Sequence, residues 1–199
     1  MSHISHHLLP LAPFPSLLIY AVIALLLLIE VGMIFGFFFP GDFLLLAAGI
    51  LAGSYSDVTW IGVAITAAAA SFVGAELGFV IGKRFGFVLT RNNNPPSIES
   101  SIQRSKKLLS QNSWSTIIFS NFVPGIRTFV PVIAGQSSTN RAKFALANGL
   151  GSIIWASAIT LVGYELASIN VIRESPFVVV AGLFLLSSGA SLFTFFRAL

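Results

Sequence analysis

The sequence predicts an all-α integral membrane protein, with about four transmembrane helices and two opposed re-entrant helical hairpins arranged as an inverted repeat. Three observations predict it. Only 9% of the 199 residues are charged and 55% are hydrophobic, whereas soluble domains carry roughly 25% charged residues. The apolar residues fall in continuous runs long enough to cross a hydrocarbon core about 30 Å thick, which takes about 20 helical residues. Two of those runs are broken at their centres by Pro-Gly beside a charge, at Pro40-Gly41-Asp42 and at Pro124-Gly125-Ile126-Arg127.

The elements follow in order. Residues 1–13 form an N-terminal tail, whose His3, His6 and His7 lack a closed ligand set and are read as a solvated segment with no metal. No cleavable signal peptide is expected: the first residues lack Lys and Arg, and the apolar run from Phe14 exceeds a typical signal core. The first helix is expected from about Phe14 to Met33. Within 14–53 the only charges are Glu30 and Asp42; residues 60–82 carry one charge, Glu76, and 144–164 and 175–196 carry none. Such continuous runs mean helices, because a barrel would show weak alternation instead. With no cysteine in the chain, thiol chemistry and disulfides are excluded.

Orientation is read from the basic residues. Six of the eleven (Lys83, Arg84, Arg91, Arg104, Lys106, Lys107) lie in the segment 83–113, which also holds the loop signal "NNNPPS". This segment is expected to be cytoplasmic and to divide one membrane domain, residues 1–199, into two halves. Ser97–Gln111 within it has Ile98, Ile102, Leu108 and Leu109 near one face, the pattern of a short surface helix. If the interrupted segments 34–53 and 114–136 re-enter rather than span, nine of the eleven basic residues fall inside, against seven if both span. Re-entry places both termini in the cytoplasm. The two segments then enter from opposite faces, which is the sequence pointer to an inverted-repeat transporter. A short echo supports the repeat: Pro40-Gly41 precedes Ala48-Gly49, as Pro124-Gly125 precedes Ala134-Gly135.

A charge at bilayer depth costs at least about 2.5–3.5 kcal/mol, so Glu30, Asp42, Glu76 and Arg127 need reasons to be there. Pro-Gly frees backbone groups that must face protein or a wet cavity. Hairpin tips meeting near the midplane would put Asp42 beside Arg127, each lowering the other's burial cost. Exposed amides at the broken helix ends would add positive character suited to an anionic headgroup. A purely structural ion pair is the plainer alternative. Glu30, near the end of the first helix, suits reversible protonation beside a wet cavity, or is simply interfacial. In "GAELGFVIGKRFG", Gly74, Gly78, Gly82 and Gly86 recur every four residues and form a close-packing face; Glu76 points away from it and is read as structural. Lys83-Arg84 and the 104–107 cluster serve as topology determinants or attract anionic headgroups. Trp60 and Trp114 suit membrane interfaces. No P-loop, nucleophile elbow or zinc-protease motif occurs, so neither catalytic residues nor a cofactor is expected, and the net charge of +4 reports topology rather than a nucleic-acid partner.

Taken together, Glu30 twelve residues before Asp42, "GAELGFVIGKRFG", "NFVPGIRTFVPVIAG" and "FALANGLGSIIW" resemble the DedA family, whose domain is also called VTT or SNARE-associated-Golgi-like. The likeness runs from about residue 28 to 167. It implies a multi-pass protein of the bacterial inner membrane with two opposed re-entrant hairpins. Some members are implicated in returning undecaprenyl phosphate across the membrane, others in proton-dependent transport and membrane homeostasis, and eukaryotic relatives scramble phospholipids. The family's acids map onto Glu30 and Asp42 as proton-coupling or gating groups, and its arginine after Pro-Gly maps onto Arg127. Many members have an arginine where this chain has Asn121 in "NFVPGIR"; asparagine donates hydrogen bonds but brings no charge. The expectation is a lipid-phosphate transporter, not an enzyme, binding its substrate through Arg127, Asn121 and Gly125, with an anionic membrane lipid as partner; the sequence leaves homo-oligomer formation open. The alternatives are a proton-coupled small-solute transporter and a non-transporting membrane scaffold.

Overall fold

The computed structural model describes residues 16–32, 41–54, 57–89, 96–123 and 126–169, together with 178 and 182. All regular structure among them is helical: α1 (Ser16–Gly32), α2 (Gly41–Ser54), α3 (Trp60–Leu89), α4 (Pro96–Gln111), α5 (Ser113–Ser120), α6 (Ile126–Gln136) and α7 (Arg141–Leu166). Trp60–Phe85 and Arg141–Leu166 are long and apolar enough to cross a membrane; Leu17–Ile29 and Gly41–Ser54 are shorter apolar helices. The N-terminal tail and almost all of the apolar run 175–196 lie outside the described residues.

The first helix begins and ends within two residues of its expected bounds, as Ser16–Gly32. Pro40, Pro124 and Gly125, at which the sequence predicts the breaks, lie outside the described residues. Helix α2 starts at Gly41, and α5 and α6 are separated by residues 121–125. The basic segment 83–113 differs from the loop expected there. Helix α3 runs on through Lys83 and Arg84 to Leu89, and α4 occupies 96–111. Thirty residues make α3 about 45 Å long, more than a hydrocarbon core about 30 Å thick requires. Helix α4 is amphipathic as expected: Ile102 is buried against Phe129 and Ile133 of α6, with Leu109 packed alongside.

Helix α2 packs chiefly on α7, and α6 chiefly on α3, so each Pro-Gly helix lies on the long helix of the other half. The outer helices pack within their own halves in matching fashion, α1 on α3 and α5 on α7. Glycines set both crossings. A Cβ on Gly82 would collide with the Val132 carbonyl and one on Gly135 with the Phe79 carbonyl; likewise Gly163 lies under the Leu46 carbonyl and Gly49 under that of Thr160. Small residues are what let backbones approach where no hydrophobic force drives helices together. The expected glycine stripe is therefore partly an α3–α6 contact. Gly78 meets Pro131 and Gly82 meets Val132, and Gly74 is buried. Gly86 lies in α3, but its surroundings are outside the described residues.

The core has two main apolar clusters. One gathers Leu27, Leu45, Val63 and Trp155 from α1, α2, α3 and α7. The other joins Phe79, Ile117, Val130 and Phe144 from α3, α5, α6 and α7. The charged site sits where α2, α6 and α7 meet.

Candidate functional site

Asp42 occupies the first turn of α2, where a carboxylate faces the positive end of the helix dipole. Arg127 is the second residue of α6, where the dipole disfavours a cation. The two meet: Arg127 Nη1 donates to Asp42 Oδ1 at 2.9 Å. The arginine side chain is 3% exposed and the aspartate 27%. The carboxylate thus offsets both the burial of the guanidinium and its unfavourable place on the helix. Pro131 lies inside α6 four residues on and removes the N–H that would have bonded the Arg127 carbonyl. This end of α6 is therefore held largely by its neighbours.

A third residue completes the arrangement. Trp155 of α7 is fully buried, and its Nε1 donates to the same Asp42 oxygen at 2.9 Å. Its ring lies under the guanidinium, 4.6 Å from Arg127 Cζ to the ring centroid, within the range of a cation–π contact. Asp42, Arg127 and Trp155 therefore form a closed triangle, with the N-termini of α2 and α6 converging on it. Two converging positive helix ends and a guanidinium are met here by the negative charge of Asp42.

Asn121 is 4% exposed and ends α5. Its Oδ1 accepts from Ser71 Oγ of α3 at 3.5 Å, and Gly151 of α7 leaves room for its amide. Beyond Ser71 the polar contacts continue. Ser152 Oγ donates to Ser71 Oγ and to Asn148 Oδ1, both at 3.4 Å, and Asn148 Nδ2 donates to the Phe72 carbonyl at 3.2 Å. Glu76 stands next to Asn148 and faces Arg141 of α7 across 3.8 Å. A file of buried polar side chains thus ties α3, α5 and α7 together, with Glu76 at its Asn148 end.

Glu30 lies in the last turn of α1; its side chain, like Pro40, Pro124 and Gly125, is outside the described residues. Of the expected site residues, the structure brings Asp42 and Arg127 together and places Asn121 in the polar file. Trp155 was not anticipated. The only signal for it was a tryptophan inside the charge-free stretch 144–164, where a buried indole N–H needs an acceptor. A cavity of about 310 Å3 borders the α5–α6 break, lined mostly by apolar groups including Leu108, Phe119, Val123 and Ile126, the residue before Arg127. Phe119, Phe122 and Val123 are exposed around that break. No group of three or more metal-ligating side chains occurs among the described residues.

Two membrane-length helices are consistent with a helical membrane protein, and comparison with known proteins supports that class. The VTT domain family matches residues 39–165, and the chain belongs to that family, the DedA-type membrane proteins. It is 30% identical to Protein DedA of Escherichia coli over 187 residues, covering 93% of this chain and 85% of the relative. It is 28% identical to the inner membrane protein YqjA of Escherichia coli over 155 residues, 76% of this chain and 70% of that one. An uncharacterized membrane protein of Mycobacterium tuberculosis is 33% identical over 149 residues, 74% of this chain and 65% of that one. No solved structure matches.

Proposed function

We propose that this protein moves a lipid phosphate, undecaprenyl phosphate above all, between the leaflets of the cell membrane, with proton coupling through Asp42 and Glu30. In this reading residues 34–53 and 114–136 are re-entrant hairpins entering from opposite faces of the inner membrane, about four helices span, and both termini are cytoplasmic. The exchange of partners between halves, α2 on α7 and α6 on α3, supports an inverted repeat.

One observation carries the functional reading: the starts of α2 and α6 converge on a partly buried Asp42–Arg127 pair, and a separate apolar cavity is lined by Ile126, the residue before Arg127. A phosphate would exchange with the Asp42 carboxylate as the partner of Arg127, while the lipid chain follows the apolar lining. Protonating Asp42 removes the competing negative charge and releases the guanidinium, so substrate binding and proton binding favour each other. Asn121 donates to the phosphate from the adjacent break, and Gly125 lets the chain approach closely. The activity is movement, with no bond made or broken.

Transport of undecaprenyl phosphate in liposomes, followed by accessibility of its phosphate from one side, tests this. Arg127→Ala should abolish flux, and Asp42→Asn should retain flux but lose its response to a pH gradient. Flux unchanged by Arg127→Ala would sink the assignment. A second reading has its own support, since Asp42 Oδ1 already receives both Arg127 and Trp155: the triangle is then a structural lock in a non-transporting scaffold. That reading requires wild-type liposomes to show no flux at all.

A further inference from the structure

A further cavity lies away from the Asp42–Arg127 site, where α4, the end of α6 and the start of α7 meet. It has a volume of about 500 Å3. Lys106 of α4 and Lys143 in the first turn of α7 both line it, and no acidic residue is among its lining residues. Ser113 and Ser138 bring hydroxyls, those of Ser137 and Thr139 being taken up by the Ala134 carbonyl and by each other, and Leu109 and Ile133 form an apolar wall. The amides that open α7 do not make this site: Asn140 Oδ1 already accepts from the N–H groups of Ala142 and Lys143. The cavity therefore offers two ammonium groups, hydroxyls and an apolar side.

Its depth is set by α7. Arg141–Leu166 is a membrane-length apolar helix, and the cavity sits at its first turn, which is headgroup level for a helix that crosses. Two lysines lining one space suit a phosphate oxygen cluster, since ammonium groups bind phosphate as point charges. Leu109 and Ile133 suit the glycerol and upper chain of a lipid.

We propose that this cavity is a second anion site, holding a phosphate group at the membrane surface through Lys106 and Lys143, independently of Arg127. An anionic phospholipid headgroup and free phosphate share that chemistry. The site acts as a surface anchor or reservoir for a phosphate-bearing molecule, not as part of the central triangle.

Titration of the full chain in nanodiscs separates the sources. Phosphatidylglycerol in a phosphatidylcholine background is one probe, read by native mass spectrometry of retained lipid. Inorganic phosphate on the detergent-solubilised protein is the other, read by phosphorus NMR line broadening. Each basic residue at an anionic surface is worth about fivefold in affinity, so Lys106→Gln/Lys143→Gln should weaken binding about 25-fold. Far-UV circular dichroism verifies that the variant folds, and Lys106→Arg/Lys143→Arg should retain binding. A loss seen with phosphatidylglycerol establishes a headgroup site, and a loss seen with phosphate alone establishes a free-phosphate site. Equal affinities of wild type and the glutamine variant for both probes would overturn the proposal. So would an equal loss in Arg104→Gln/Lys107→Gln, whose exposed side chains lie on α4 outside the cavity, because the effect would then be diffuse surface charge. Lipid retention that depends on Arg127 alone supports the central site and rejects this one.

Discussion

Replacing Trp155 by Phe isolates what holds the central triangle. The indole is fully buried and makes two kinds of contact, an N–H bond to Asp42 and a ring face under Arg127. Phenylalanine keeps a ring but loses the donor. Hydrogen bonds between membrane helices measure up to about 1.7 kcal/mol in double-mutant cycles, and a carboxylate acceptor places this one near the top, at about 1.5 kcal/mol. Losing one fused ring leaves about 40 Å3 unfilled, worth about 1 kcal/mol at roughly 24 cal/mol per Å3. The expected loss is about 2.5 kcal/mol, some seventyfold in the folded-to-unfolded ratio. Unfolding by sodium dodecyl sulfate titration in mixed micelles, followed by far-UV circular dichroism, reads it directly. Trp60→Phe serves as the control, since Trp60 is only partly buried. A loss of about 1 kcal/mol or less for Trp155→Phe would mean that the bond to Asp42 contributes nothing. The idea that the triangle holds α2, α6 and α7 together would then fail.

Three further outcomes follow from the packing. Gly163→Val places a branched side chain against the Leu46 carbonyl and should destabilise by about 3 kcal/mol or more, lowering the monodisperse fraction on gel filtration; a stable, monodisperse variant would show that α2 and α7 do not approach as described. Glu76→Gln should raise thermal stability slightly, because Glu76 Oε1 is buried without a hydrogen-bond partner and Arg141, its partner on the other oxygen, is 68% exposed, so the ion pair contributes under about 0.5 kcal/mol; a marked drop in melting temperature contradicts this. Asn140→Ala removes the side-chain acceptor at the start of α7 and should cost about 1 kcal/mol, measured in the same detergent titration, and no change would remove Asn140 as the cap.

The Asp42–Arg127 pair was legible in the sequence because opposite charges in apolar runs are expensive apart, and each sits beside a Pro-Gly break. The amphipathic α4 was legible for the usual reason, the periodic spacing of Ile102 and Leu109. Trp155 was not, because in hydropathy an indole counts as apolar surface and its single N–H is invisible. Nor was the Gly49–Gly163 crossing: the four-residue repeat on α3 announces itself, whereas two isolated glycines 114 positions apart signal nothing until the helices are laid together. The Ser71–Asn121–Ser152 file was hidden too, since small hydroxyl residues in a membrane helix satisfy backbone carbonyls as readily as each other. The length of α3 was missed because Lys and Arg mark the end of an apolar run but do not end a helix.

The exchanged packing of the two halves bears on how the protein is made. Asp42 lies 85 residues ahead of Arg127 and 113 ahead of Trp155. At about 5–20 residues per second of synthesis, Asp42 is in place roughly 4–17 s before its guanidinium partner leaves the ribosome. Helix α2 must also wait for α7, the helix against which its glycines fit. The first half therefore enters the bilayer with a carboxylate unsatisfied and its chief packing face bare. Both are resolved only when the second half arrives. Shielding during that interval falls to water at the insertion site or to a membrane chaperone, and truncation within the second half should leave a product marked for degradation rather than a functional half-protein.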